Sequence, residues 1–151
     1  VKQLLIVYHT QSGASAKLAE SLWRGALDEG SVSVKVQRAW DCGTEDLCEA
    51  DALALVAAEN SAALAGSMKD FLDRCFYPAI ERQLVLPYAL VLSAGNDGRN
   101  AERQAQRVLS GIPFTEATPP LICRGEVDSR HRQQCRELGQ GLAAGLAMGI
   151  F

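Results

Sequence analysis

The sequence predicts an α/β three-layer sandwich: a five-stranded parallel sheet of strand order 2-1-3-4-5 with helices on both faces. Three observations predict it. Apolar strand-length runs alternate strictly with amphipathic helical periods, β-α-β-α-β-α-β-α-β-α, and strict alternation implies parallel strands joined by crossover helices. Three of the runs are continuous and suit strands covered on both faces, whereas the other two are alternating or proline-bounded and belong at edges. Finally, 151 residues at 48 % hydrophobic and 22 % charged are enough for one core, so residues 1–151 are expected to form a single domain.

The elements follow in order. Leu4-Leu5-Ile6-Val7-Tyr8 is the first continuous run. A polar turn, His9 to Gly13, leads to a helix over about Ala14 to Glu29. Leu18, Ala19, Leu22, Trp23 and Ala26 lie on one side of it, and Gly30 ends it. Val32, Val34 and Val36 alternate with Ser33 and Lys35, which marks the second strand as an edge. Trp40 to Glu49 has room for one or two helical turns. Ala52-Leu53-Ala54-Leu55-Val56 is the third strand, and Ala58 to Ala63 reads as a loop. Leu64, Met68, Phe71, Leu72, Cys75, Phe76 and Ile80 give the clearest helical period. Pro87 precedes the fourth strand, Tyr88-Ala89-Leu90-Val91-Leu92, and a turn-rich loop spans Ser93 to Gly98. Ala101, Ala105, Val108 and Leu109 mark a helix closed by Gly111 and Pro113. Leu121-Ile122-Cys123 is a short fifth strand, kept at an edge by Pro119 and Pro120. From Asp128 the chain reads as a last helix with Cys135, Leu138, Leu142 and Leu146 inward.

Composition narrows the function classes. The net charge of −3 indicates neither a nucleic-acid binder nor an acidic tail. No stretch reaches the roughly 18 to 20 apolar residues of a membrane span. Val1-Lys2-Gln3 leads straight into a strand pattern, so no signal peptide is expected. The cysteines Cys42, Cys48, Cys75, Cys123 and Cys135 are odd in number and form no CxxC pair. A reducing, cytoplasmic setting is therefore expected, with Cys75 and Cys123 as small core residues and no zinc site.

In a sheet of this order ligands sit at the carboxyl ends of the strands, where the order reverses. Here that is the turn Thr10-Gln11-Ser12-Gly13-Ala14-Ser15, with three hydroxyls around a glycine at a helix start. The first turn of a helix has free N–H groups and partial positive charge. Gly13 lets the backbone approach an oxyanion, and a β-branched residue there is expected to fill the space. No lysine or arginine lies in the turn, so a phosphate monoester held by neutral donors is the expected ligand. A plain serine-capped helix start is the bland alternative.

The spacing Thr-x-Ser-Gly-x-Ser resembles the FMN-phosphate loop of the flavodoxin-like family, that is flavodoxins and FMN-dependent NAD(P)H and quinone reductases. Ala65-Gly66-Ser67-Met68-Lys69-Asp70-Phe71-Leu72-Asp73-Arg74 is similar to the turn and helix that follow the family's first flavin-ring loop. Ser93-Ala94-Gly95-Asn96-Asp97-Gly98 stands where its second ring loop lies. The resemblance implies that Thr10, Gln11, Ser12, Gly13, Ala14 and Ser15 hold the phosphate. It implies that Glu59, Asn60, Ser61 and Ala62 line one side of the ring through backbone groups. Ser93, Ala94, Gly95, Asn96 and Asp97 then approach the other edge and the ribityl chain. Family members usually carry an aromatic residue around the first ring loop; Ala58 to Ala62 has none, so one ring face is expected to be open.

With no acid–base or nucleophilic constellation in the sequence, the resemblance implies an FMN-dependent oxidoreductase that passes electrons from NAD(P)H to a quinone-like or other small acceptor. A flavodoxin-type electron carrier and a flavin-free binding module are the alternatives. Three further features have bland readings. Gly139-Gln140-Gly141-Leu142-Ala143-Ala144 matches G-x-G-x-x-A without the strand that motif requires. Gly141, Gly145 and Gly149 point to close packing of the last helix on the sheet, or else to a homo-oligomer contact. Arg99, Arg103 and Arg107 share a helix face that is either simply solvated or docks an anionic partner. His9 either touches a ligand or stands half-exposed in the loop, and Trp23 and Trp40 are expected to pack into the core and loops.

Overall fold

In the computed structural model, which describes residues 1–151, β1 (Gln3–Tyr8), α1 (Ala14–Glu29) and β2 (Ser33–Arg38) open the chain. A 3-10 turn (Ala39–Asp41) and α2 (Thr44–Glu49) lead to β3 (Ala52–Asn60). Then come β4 (Ala63–Leu64), α3 (Gly66–Glu81), β5 (Pro87–Ala94) and α4 (Arg99–Gly111). β6 (Thr115–Glu116), β7 (Leu121–Arg124) and α5 (Ser129–Met148) complete the chain. The longest helix is not apolar enough to cross a membrane.

The sheet runs β2-β1-β3-β5, all parallel, and β5's outer edge is shared by two short strands. β6 pairs with Pro87 and Tyr88, and β7 with Val91 to Ala94. The expected order therefore holds, with its fifth place filled by a broken strand. Pro119 and Pro120 lie in the break, where they have no N–H to give a ladder.

Side chains of the continuous runs alternate between two cores, as a period of two requires. Leu5, Val7, Leu53, Leu55, Leu90 and Leu92 face α2, α3 and α4, meeting Leu47, Phe71, Leu72 and Leu109. Leu4, Ile6, Ala54, Val56 and Val91 face the other way, onto Leu18, Leu22, Cys135, Leu142 and Leu146 of α1 and α5. Being apolar at every position thus serves two hydrophobic layers at once.

Four expectations change. The segment 58–63 is not a loop: β3 continues through Asn60 and turns back as a hairpin, with Glu59 opposite Leu64 and Asn60 opposite Ala63. Its tip, Ser61 and Ala62, has φ of 50° and 62°. Such left-handed backbone costs L-residues roughly 1–2 kcal/mol each and is normally advertised by Asn-Gly, so the sequence carries no turn signal here. On α3, Ile80 is exposed, because Leu72, Cys75 and Ala79 form the buried seam and position 80 rotates away from it. Trp40 is 56 % exposed, whereas Trp23 is half-buried against the α1/α5 layer.

The fourth change concerns the last helix. Its close contact is made through Gly139, not through the repeat at Gly141, Gly145 and Gly149. A Cβ on Gly139 would strike Leu22 O, and a Cβ on Gly25 would strike Arg136 O, so α1 and α5 cross backbone to backbone. Gly141 has open space, Gly145 receives the Phe151 ring, and Gly149 is a left-handed C-cap.

Candidate functional site

The connection from β1 crosses through α1 on one face of the sheet, and that from β3 crosses through α3 on the other. The order therefore reverses between β1 and β3, which opens a crevice at their carboxyl ends. A cavity of about 110 Å³ lies there, lined by His9, Thr10, Gln11, Ser12, Ala14, Ser15, Ala58 and Asn60. Against the roughly 30 Å³ share of a water molecule, this space suits a small tetrahedral group.

Local backbone chemistry makes the cavity a donor site. Gly13, at φ 100°, is the N-cap of α1 and provides no side-chain cap. Its own N–H donates to Thr10 Oγ1 at 2.9 Å, which tightens the turn. Lys17 N–H, bonded to Gly13 O at 3.1 Å, is the first of the helix to reach a backbone acceptor. The N–H groups of Ala14, Ser15 and Ala16 are thus the helix's unspent donors, at the positive end of its dipole. The serine-capped alternative does not hold. A Cβ on Gly13 meets no protein atom within 4 Å, so the space beside it is open, and the positive φ itself calls for glycine.

The structure brings together Thr10, Gln11, Ser12, Ala14, Ser15 and Asn60 around one cavity and distributes the others differently. Ser15 Oγ and Ser93 Oγ lie 3.0 Å apart, both buried, so these hydroxyls tie the helix start to β5 instead of facing solvent. Ser93 and Ala94 belong to the end of β5, not to a loop. Gly95, Asn96 and Asp97 are exposed, and the Asp97 carboxylate lies near Arg99 at 3.4 Å and Arg124 at 3.7 Å. The Glu59 side chain turns to the neighbouring loop, where its Oε2 accepts from Gly98 N–H at 2.7 Å. Asn100 Nδ2 donates to Ala62 O at 2.6 Å, and Asn60 Nδ2 to Gln11 Oε1 at 3.0 Å. The hairpin is thereby pinned to α4 at Ala62 and to the turn after β1 at Asn60.

A cation stands behind the turn although none lies within it. Arg38, paired in register with Tyr8, donates from Nη2 to Thr10 O at 3.0 Å. Its guanidinium stacks 4.2 Å from the Trp40 ring centroid and 5.6 Å from that of Tyr8. Sequence reasoning missed Arg38 and Trp40. The expected strand order held the signal, because the residue ending the second strand must lie beside the end of the first.

His9 is 5 % exposed, meets Trp40 edge-on at 5.4 Å, and has a buried Nδ1 with no partner. It is neither half-exposed nor free to titrate as in water. Burial first, and Arg38 second, push its pKa below 6.5. The unfolded chain therefore takes up the proton first, and the stability that neutral His9 confers is lost as pH falls from about 6.5 through the lower folded value. The expected result is that the stability of wild type relative to His9→Gln falls below pH 6.5, by no more than about 1.4 kcal/mol per pH unit. Urea unfolding at pH 5, 6 and 7.5 measures it, and a pH-independent difference overturns it.

The arrangement is that of the flavodoxin-like fold: a 2-1-3-5 parallel core, an anion-ready turn after β1 and two further turns at the same edge. Solved structures agree in fold. A flavodoxin from the domain Archaea superimposes with a TM-score of 0.83 at 22 % identity, over 95 % of this chain and 98 % of that one. A flavodoxin, WrbA-like protein from Agrobacterium tumefaciens gives 0.82 at 13 % identity, over 98 % and 99 %. Rubredoxin oxygen:oxidoreductase from Desulfovibrio gigas gives 0.83 at 17 % identity, over 99 % of this chain but 37 % of the larger one. No protein-family model and no curated protein matches the sequence.

Proposed function

We propose that the chain binds FMN and acts as an oxidoreductase, passing electrons from NAD(P)H to a quinone-like or other small acceptor. The uncapped N-terminus of α1, opening on a hydroxyl-lined cavity at the reversal of strand order, carries this reading. The donor set fits a phosphate monoester: N–H groups at a helix start, the hydroxyls of Thr10 and Ser12, and the Arg38 charge behind them. Thr10 to Ser15 hold the phosphate. Glu59, Asn60, Ser61 and Ala62 flank one side of the ring, and Ser93 to Asp97 form the far wall. When bound, flavin supplies the hydride and electron chemistry, while the protein orients it. Two of the structural neighbours are described as flavodoxins, which supports a flavin ligand. Five free thiols support a reducing, cytoplasmic setting.

A flavin-free binding module on the same fold is the second reading. The absence of an aromatic residue from both ring-side turns favours it, and so do the Glu59–Gly98 bond between those turns and the Asn100–Ala62 bond that ties the hairpin to α4.

Anaerobic mixing of FMN-loaded protein with NADPH or NADH separates the two. The oxidoreductase reading requires loss of the flavin's visible absorbance at rates within the usual 1–10³ s⁻¹. In the same preparation Asn60→Tyr supplies the missing ring. It is expected to tighten FMN by about 0.5–1.5 kcal/mol and to slow reduction by covering the open face. Unchanged affinity would show that the hairpin does not flank the ring.

A further inference from the structure

A second concave surface runs down α4. It has a volume of about 830 Å³ and is bounded by Asn100, Arg103 and Arg107 on one side and by Phe114, Thr115 and Glu116 on the other. Arg24, Arg74, Arg82, Arg99, Arg124 and Arg136 each approach a carboxylate within salt-bridge range. Arg103 and Arg107 approach none and are exposed. They stand four residues apart, so their side chains leave the helix roughly 5–6 Å from one another, an arrangement that destabilises a helix unless an anion comes between. Planar guanidinium groups at that spacing suit neighbouring phosphates. Between them and β6, Glu116 accepts from Gln106 Nε2 at 2.5 Å and from Tyr88 Oη at 3.4 Å, both on Oε1. Its second oxygen makes no bond within the protein, and a carboxylate beside a diphosphate suits ribose hydroxyls.

We infer that this groove binds the diphosphate of a nucleotide, with Arg103 and Arg107 on the phosphates and Glu116 on the ribose. The groove's upper end is Asn100, which holds the hairpin at Ala62 O. Arg107 lies seven residues further along, about 10 Å down the helix. A dinucleotide lying in the groove therefore has its other end at the hairpin proposed to flank the flavin. That link rests on the oxidoreductase reading; the nucleotide site does not. A broad acidic protein surface fits less well, because the surface is concave and offers only this pair of arginines, with the Glu116 carboxylate on its far wall.

The test is amide-resolved NMR of the full chain titrated separately with ADP, NADH and inorganic pyrophosphate. Saturable shifts at residues 100–107 and 114–116 are expected with both ADP and NADH, extending to the hairpin at 60–63 with NADH alone. Arg103→Gln/Arg107→Gln should weaken both at least tenfold, with melting temperature and FMN affinity unchanged. Absence of shifts up to millimolar ligand, equal binding by the double variant, or equal shifts at Arg130 and Arg132 would overturn the site. Pyrophosphate binding as tightly as ADP would overturn the nucleotide assignment, and ADP without NADH would overturn the link to the hairpin. Nucleotide binding in a protein that takes no FMN would sink the oxidoreductase reading and leave the groove intact.

Discussion

Riboflavin is expected to bind at least a hundredfold more weakly than FMN. The two ligands differ only in the phosphate, and the cavity after β1 opens on the uncapped start of α1 and the hydroxyls of Thr10 and Ser12. Each charge-assisted hydrogen bond to a phosphate oxygen is worth roughly 1.5–3 kcal/mol net. Losing two of the unspent N–H bonds of Ala14, Ser15 and Ala16 therefore costs about 3–6 kcal/mol, or roughly two to four decades in affinity. Arg38 adds to this through charge, since its guanidinium is fixed to Thr10 O at 3.0 Å directly behind the turn. Fluorescence-quenching titrations of the two flavins at equal ionic strength measure the difference. Equal affinities would mean that Thr10 to Ser15 do not hold a phosphate.

The second large effect lies away from the site. Gly25→Ala and Gly139→Ala are each expected to lower stability by about 1–3 kcal/mol or more, because the added Cβ meets backbone carbonyl and not a movable side chain. For a chain of this size each kcal/mol corresponds to roughly 2–4 °C, so a fall in melting temperature of about 2–12 °C is expected. Gly141→Ala, with open space around it, is the control and should change stability little or raise it slightly through helix propensity. Calorimetry on the three variants distinguishes them. A melting temperature unchanged in the Gly25 and Gly139 variants would mean that the α1–α5 crossing is looser than described.

Strand order, helix positions and the glycine-and-hydroxyl turn at the start of the first helix were legible because their signals are local or periodic. The first helix ends at Glu29 with Gly30 in the left-handed region, as a C-terminal glycine in sequence suggests. Continuous runs such as Leu4 to Val7 marked central strands, since only a strand between two layers needs apolar side chains on both faces. The 61–62 turn was not legible. Its left-handed residues are serine and alanine, and its shape is imposed by pairing to β3 and by Asn100 and Gln104 of α4. The split of the last strand was half legible, through Pro119 and Pro120, but the pairing of Thr115 and Glu116 with the start of β5 was not.

The layered α/β architecture and the placing of a glycine and three hydroxyls at the start of a helix are written locally in the chain. These follow from apolar periodicity and from backbone preferences that each residue carries wherever it stands. Which groups stand around that turn depends instead on the folded sheet. Arg38 reaches Thr10 across 28 residues, Ser93 closes on Ser15 across 78, and Glu59 clamps Gly98 across 39. Such contacts depend on which strand ends lie side by side, and hydrogen-bonding side chains far apart in sequence leave no periodic trace until the sheet has set its register.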